Sequence, residues 1–387
     1  MNAAGAVGVA IVAGLGSAAF LLGLDRVTSI RLANHWLIWL LPLAGGVMGW
    51  VLGRTSGRAA AGNRLVLHEI HQPGDGVPGR MAPTAFLGSM VTHLFGGSTG
   101  REGAAIQITA ATVDAGSRWF GCEPSLRSRL LVASLAGGFG AVFGVPVAGI
   151  VFAMEVCRVP AKQRLAALPV AAVAAVGGHL VVIGLGVNHT SYSRVDGPST
   201  AQGWITLIVV GLAVGVIARA MLELMDLVRA GASRLPGSAA RQRATAMAVA
   251  GLVVALMVMA TDGFRATGLS LELLASSTSG APDLEGLLLK IALTCVTVGV
   301  GFPGGEVTPL FVIGATSGST IAGWFGTSGA VPARAGFVAC FGAATAAPMT
   351  AVVMGVELFG WGALAWVLLA CPLAAAASGR RHVYEPL

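Results

Sequence analysis

Apolar stretches of membrane-crossing length follow one another along nearly the whole chain, separated by short polar or basic breaks. Residues 4–24 and 33–53 make the first two, and 168–187, 204–228, 244–261 and 286–301 read as further spans. The hydrocarbon core of a bilayer takes about 20 apolar residues in a helix, so the pattern predicts a polytopic, all-α membrane protein. Two stretches depart from simple spans. Residues 130–156 are nearly all apolar but are interrupted by GGFGAVFGVP (137–146), and GFPGGEVTPLF (301–311) interrupts the chain before the apolar runs 310–325 and 335–377. Gly and Pro inside such a run predict half-helices that meet within protein, because lipid cannot satisfy the freed backbone groups.

Composition narrows the class. The chain has 387 residues, 55% of them hydrophobic, 56 glycines and only 11% charged residues, with a mean hydropathy of +0.80. That excludes an ordinary soluble domain, and the glycines suit helices packed closely in lipid. The net charge of +7 comes without a basic block interleaved with aromatics, so nucleic acid is not an expected partner. Basic loops at 54–64, 158–164, 229–243 and 380–381 should lie on one side, and the non-basic segments 188–203 and 262–285 on the other. The positive-inside rule then puts both termini in the cytoplasm of a multi-pass protein of the cell (inner) membrane. The first apolar segment lacks a basic n-region and reads as a membrane helix, not a cleaved signal. The five cysteines are scattered and suggest reduced, buried thiols.

Within this apolar background GSTGREGAAIQITA (97–110) stands out, because Arg101 and Glu102 open an apolar run between Gly100 and Gly103. A charge at membrane depth is expensive, and a helix starting here points free N–H groups at whatever lies before it. The stretch reads as an anion site with a titratable gate, or, more plainly, as an ion pair in an interfacial loop. His68, Glu69 and His71 suggest a metal site at first sight. Their histidines are three apart, however, and a zinc-protease helix needs four. No metal and no cofactor is expected.

An internal repeat favours the anion site. FGAVFGVPVAGIVFAME (139–155) resembles FGAATAAPMTAVVMGVE (341–357), with Pro146 and Pro348, and Glu155 and Glu357, each 202 residues apart. The same offset carries Gly103 to Gly305, inside GGEVTP (304–309). Paired, broken, acid-bearing segments in two halves point to a transporter's central site. The expected halves are 1–190 and 203–387, joined by a linker at 191–202 on the side away from the basic loops.

With the repeat in place, the chain resembles the CLC family of anion transporters over its whole membrane domain. GDGVP (74–78) is similar to the family's GSGIP segment, GREGA (100–104) to GREGP, and Tyr384 to the tyrosine that closes one side of the anion site. The resemblance implies a CLC-type inverted repeat of tilted and broken helices, a homodimer in lipid, and one anion pathway in each subunit. It is not that of an enzyme. It makes Glu102 the gating and proton-transferring glutamate and implies anion-binding positions at Asp75, Gly76, Val77, Gly103, Ala104, Val307, Thr308 and Tyr384. Helix N-termini near Gly76–Val77, Glu102–Ala105 and Val307–Leu310 would aim their N–H groups at a dehydrated anion.

Glu306 and Thr308 in GEVTP, and the HLFGGSTGREG context (93–103), resemble the branch that exports fluoride in exchange for protons. They are assigned to selectivity, with capping of its own helix as the alternative for Glu306. Val156 falls where chloride/proton exchangers carry an internal acid, and Glu155 and Glu357 read as structural. Arg101 is expected to pair with an acid or a helix C-terminus. Asp75 stands where chloride members have serine, and its charge disfavours an anion unless it is protonated, turned away or cation-paired. A chloride/proton exchanger or chloride channel is the alternative function, and a membrane metallohydrolase a remote one.

Overall fold

The computed structural model describes residues 3–384, and among them the regular structure is sixteen α-helices joined by loops and four short 3-10 turns. The first eight are α1 (Ala3–Ala33), α2 (Leu41–Thr55), α3 (Asn63–His71), α4 (Met81–Leu94), α5 (Glu102–Trp119), α6 (Pro124–Phe143), α7 (Pro146–Val156) and α8 (Ala161–Gly184). The second eight are α9 (Ala201–Ser233), α10 (Ala239–Thr261), α11 (Leu271–Thr278), α12 (Leu284–Gly299), α13 (Val307–Trp324), α14 (Ala330–Thr345), α15 (Pro348–Phe359) and α16 (Leu364–Ser378). The two series correspond helix for helix. Their packing corresponds as well: α1 lies on α8 as α9 lies on α16, α5 on α6 as α13 on α14, and α6 on α8 as α14 on α16.

Among the described residues, seven helical segments are long and apolar enough to cross a membrane. The longest, α1 and α9, have 31 and 33 residues. At 1.5 Å per residue they exceed a ~30 Å hydrocarbon layer and must tilt or project from it. The apolar run 130–156 is two helices, as its Gly and Pro suggest. α6 stops at Phe143, and α7 restarts at Pro146, whose missing N–H costs nothing at a helix start.

The half-helices α7 and α15 are capped by each other's repeat. The carboxylate of Glu155, at the end of α7, accepts from Met349 N at 3.0 Å, Thr350 N at 2.8 Å and the Thr350 hydroxyl at 2.7 Å. Glu357, at the end of α15, accepts from Val147 N at 3.0 Å and Ala148 N at 2.9 Å. Each carboxylate therefore sits at the positive end of the other helix, an arrangement that stabilises by about 0.3–2 kcal/mol. Both glutamates join the two repeats as helix caps.

Between the repeats the core is aromatic. Phe311 of α13 stacks on Phe337 of α14 at 4.3 Å between centroids, and Phe143, Phe139, Phe341 and Phe152 continue the stack towards Tyr384. α13 and α14 approach so closely that a Cβ on Gly314 or Gly336 would collide with the other glycine's carbonyl. Large apolar side chains such as Leu43, Leu22 and Leu180 are exposed on the outer helices, as a lipid-facing surface requires.

Candidate functional site

The two acid-bearing breaks meet. Gly100 and Gly305 exchange backbone hydrogen bonds as an antiparallel bridge. A Cβ on Gly100 would lie 2.8 Å from Thr308 N and 2.9 Å from Gly305 O, so the approach demands glycine. The bridge sets the N-termini of α5 and α13 side by side. The first N–H groups of each helix, those of Glu102, Gly103 and Ala104 and of Val307 and Thr308, have no acceptor within their own helix.

Glu102 is completely buried at this junction. Its Oε2 accepts from the Thr308 hydroxyl at 2.6 Å and from Arg101 N at 3.3 Å, and its Oε1 lies 3.3 Å from Arg101 Nε. The guanidinium of Arg101 in turn rests over the Phe143 ring at 5.9 Å. The carboxylate thus occupies the place where donors from both repeats converge. Arg101 pairs with an acid, as expected, and Thr308 binds the Glu102 carboxylate directly.

Tyr384 reaches the same region from the end of the chain. Val383 N donates to Ala344 O at 2.8 Å, and Arg381 pairs with Asp226 at 3.0 Å, which holds this tail against α14 and α9. Tyr384 stands edge-on to Phe152, is 5% exposed, and its hydroxyl is unpartnered among the described residues. It lines a cavity of about 380 Å³ together with Asn63, Gln107 and Glu306, and Arg64, Arg229 and Arg381 stand around the same cavity. Glu306 is the N-cap of α13 by position, makes no side-chain cap bond into that helix, and lines the cavity. A second cavity of about 10 Å³, room for roughly one water-sized sphere, lies between Tyr384, Asn63, Ile106 and Phe152.

Asp75, Gly76 and Val77 do not join this group, which corrects the expectation from GDGVP. Val77 N donates to the Asp114 carboxylate at 2.8 Å, and Asp114 is also held by Arg118 and Arg127. Asp75 points outward, 88% exposed, and pairs with Arg58 at 3.1 Å. The segment precedes α4, which begins at Met81 and not at Val77. The third helix start at the cavity is that of α3. Asn63 is its first residue, its Oδ1 is buried with no partner among the described residues, and its amide reaches over Gly103. Asn63 and Gln107 were not singled out in the sequence. For Gln107 the signal available was a lone amide in an apolar run, whereas Asn63 stands in the basic loop 54–64 with nothing to mark it.

The histidine segment is committed elsewhere. Glu69 takes Arg58 at 2.6 Å and Gly74 N at 2.9 Å, and His71 Nδ1 is bound to Leu67 O at 2.7 Å. On α9, Glu223 pairs with Arg219, and Asp226 pairs with Arg229 and Arg381.

Residues 44–379 match the family model described as voltage gated chloride channel. A curated "Chloride/fluoride channel protein" of Pseudomonas syringae pv. tomato is 36% identical over 387 residues, covering 97% of this chain and 84% of that protein. An "H(+)/Cl(-) exchange transporter" of Vibrio vulnificus is 24% identical, over 90% of this chain and 80% of its own. Among solved structures, a CLC-type fluoride/proton antiporter superposes with a TM-score of 0.90 at 28% identity, over 98% of this chain and 95% of that one. A slow cyanobacterial Cl-/H+ antiporter, 17% identical with a TM-score of 0.81, shares the fold.

Proposed function

The chain belongs to the voltage-gated chloride channel (CLC) family, and from that premise we propose that it is a fluoride/proton antiporter that expels fluoride from the cell. The observation that carries the reading is the Glu102 carboxylate bound by Thr308 and the Arg101 N–H at the junction of the two repeats. A carboxylate and a transported anion compete for the same donors. When Glu102 takes a proton, its charge is lost, it releases the donors, and the anion enters. When the anion leaves, Glu102 gives up its proton on the other side and returns to the donors as the carboxylate.

Fluoride is small and strongly hydrated, so several close donors must replace its water. The N–H groups at the starts of α3, α5 and α13, the Asn63 amide and the Tyr384 hydroxyl offer such a set. The cations Arg64, Arg229 and Arg381 at the mouth would gather anions from the cytoplasm. Glu306 lines the cavity with Tyr384, and Thr308 adds a donor at the start of the same helix; both are assigned to selectivity. The names of the Pseudomonas relative and of the closely superposing antiporter support fluoride over chloride. The protein works as a homodimer in the cell membrane, with both termini inside. Chloride/proton exchange is the second reading, favoured by the name of the Vibrio relative.

The test is efflux from liposomes holding the purified protein, with fluoride and chloride compared while external pH is followed. Fluoride release with proton uptake, and at least tenfold slower chloride release, is expected. In Glu102→Gln the proton uptake disappears. Faster chloride release than fluoride release from the wild type would overturn the fluoride assignment.

A further inference from the structure

Lys290 of α12 is fully buried in a membrane protein, and among the described residues no carboxylate pairs with it. An ion in such a place is costly unless its hydrogens are satisfied. Its Nζ lies 2.8 Å from Gly268 O, 2.9 Å from Ser270 Oγ, 2.9 Å from Ser98 Oγ and 3.3 Å from Ala266 O. Three short contacts to oxygen match the three donors of an ammonium group.

Of these contacts, Ser98 belongs to the loop that leads through Gly100 and Arg101 to Glu102. The Lys290 ammonium donates to the Ser98 hydroxyl, which also shares a hydrogen bond with Thr294 Oγ1, 2.9 Å away. Ser98 N lies 3.3 Å from Thr297 Oγ1, which donates its own hydrogen to Leu293 O at 2.7 Å. From the other flank, His93 Nε2 lies 3.2 Å from Thr99 O. Arg31 of α1 is buried against the segment that carries Gly268 and is bonded to Thr267 Oγ1. Lys290 therefore ties together α12, the segment 266–270 and the loop before the gate.

We propose that Lys290 is a positioning residue of the gate: through Ser98 it keeps the loop 96–101 fixed while the Glu102 side chain moves. The inference rests on Glu102 being the gate. The donors Glu102 leaves must stay in place for the anion that replaces it. A loop that moves with the carboxylate would let the anion pass while Glu102 is still charged, and coupling would be lost. The groups facing the loop that carry or take charge are Lys290, Arg31, His93, Arg101 and Glu102, of which Arg101 and Glu102 pair with each other.

The experiment uses the full-length protein with Lys290→Gln, Ser98→Ala and Ser98→Thr. Ser98→Ala removes the link to the loop and leaves the lysine its other oxygens, so it decides the matter should Lys290→Gln not fold. Two readouts are taken: the proton-to-anion ratio in liposomes, and amide hydrogen exchange of residues 96–101 in detergent. Ser98→Ala, and Lys290→Gln if folded, should lower the ratio at least threefold and speed exchange of the loop by about tenfold. Ser98→Thr, which keeps the hydroxyl, should restore both. Folded Ser98→Ala with the wild-type ratio and wild-type exchange would overturn the proposal, as would faster exchange with an unchanged ratio. The exchange readout needs no anion, and the ratio is taken with whichever anion the wild type carries. If the wild type moves chloride in place of fluoride, only the selectivity reading fails. If Glu102→Gln keeps proton uptake, the gate assignment fails, and the exchange result still reports the tether.

Discussion

A carboxylate held by a threonine hydroxyl and a backbone N–H, at a junction of two helix starts, has the donor set an anion would need. Tyr384 adds a hydroxyl that no described residue engages. Tyr384→Phe keeps the ring against Phe152 and the Val383 N–H on Ala344, so the tail should hold its place. Loss of one donor to a charged partner is worth about 1.5–3 kcal/mol, so fluoride affinity should fall by roughly 10- to 150-fold in equilibrium binding. Asp75 is the contrasting case. Asp75→Asn should leave efflux within about twofold, since an exposed pair with Arg58 is worth under ~1 kcal/mol and lies away from the cavity. Glu102 and Glu306 were legible in the sequence because charge is scarce there and each opens a Gly-rich break. Asp75 was misassigned because GDGVP carries the right local pattern. Only the fold shows that Asp114, 37 positions on, takes the Val77 N–H.

At the scale of the helix, the site is a matter of where helices begin. α5 and α13 announce their starts by glycines and an acid, and both starts were readable. α3 starts at Asn63 after a run of Ala and Gly, with no Ser, Thr or Asp before it to mark the boundary. Asn63→Ala should weaken fluoride efflux severalfold at low fluoride without changing the melting temperature by more than a few degrees. The caps at α7 and α15 were foreseen only as structural acids; that each serves the opposite repeat follows from packing, which no local pattern records. Glu357→Gln loses the charge and one of two N–H acceptors, a cost of about 1–2 kcal/mol. It should lower thermal stability in detergent and leave the proton-to-fluoride ratio unchanged.

For the molecule as a whole, the 202-residue offset forecast a two-fold plan, and sixteen helices in matching series bear it out. Which helices would lie against each other was beyond the sequence, because small residues spread all round these helices do not mark one face. The α13–α14 contact through Gly314 and Gly336 shows how tight the result is. Gly336→Val overpacks that crossing and should destabilise by about 1–3 kcal/mol or more, seen as loss of folded protein on size-exclusion chromatography.

The exchange of caps between Glu155 and Glu357 also sets an order of events during synthesis. When Glu155 emerges, the helix start it serves lies some 200 residues away and does not yet exist. At about 5–20 residues per second, the first half waits roughly 10–40 s before its second half arrives. During that interval the start of α7 is exposed without its acceptor, inside or beside the insertion machinery. The start of the first repeat's half-helix α7 thus stays without its acceptor until α15 of the second repeat has been made.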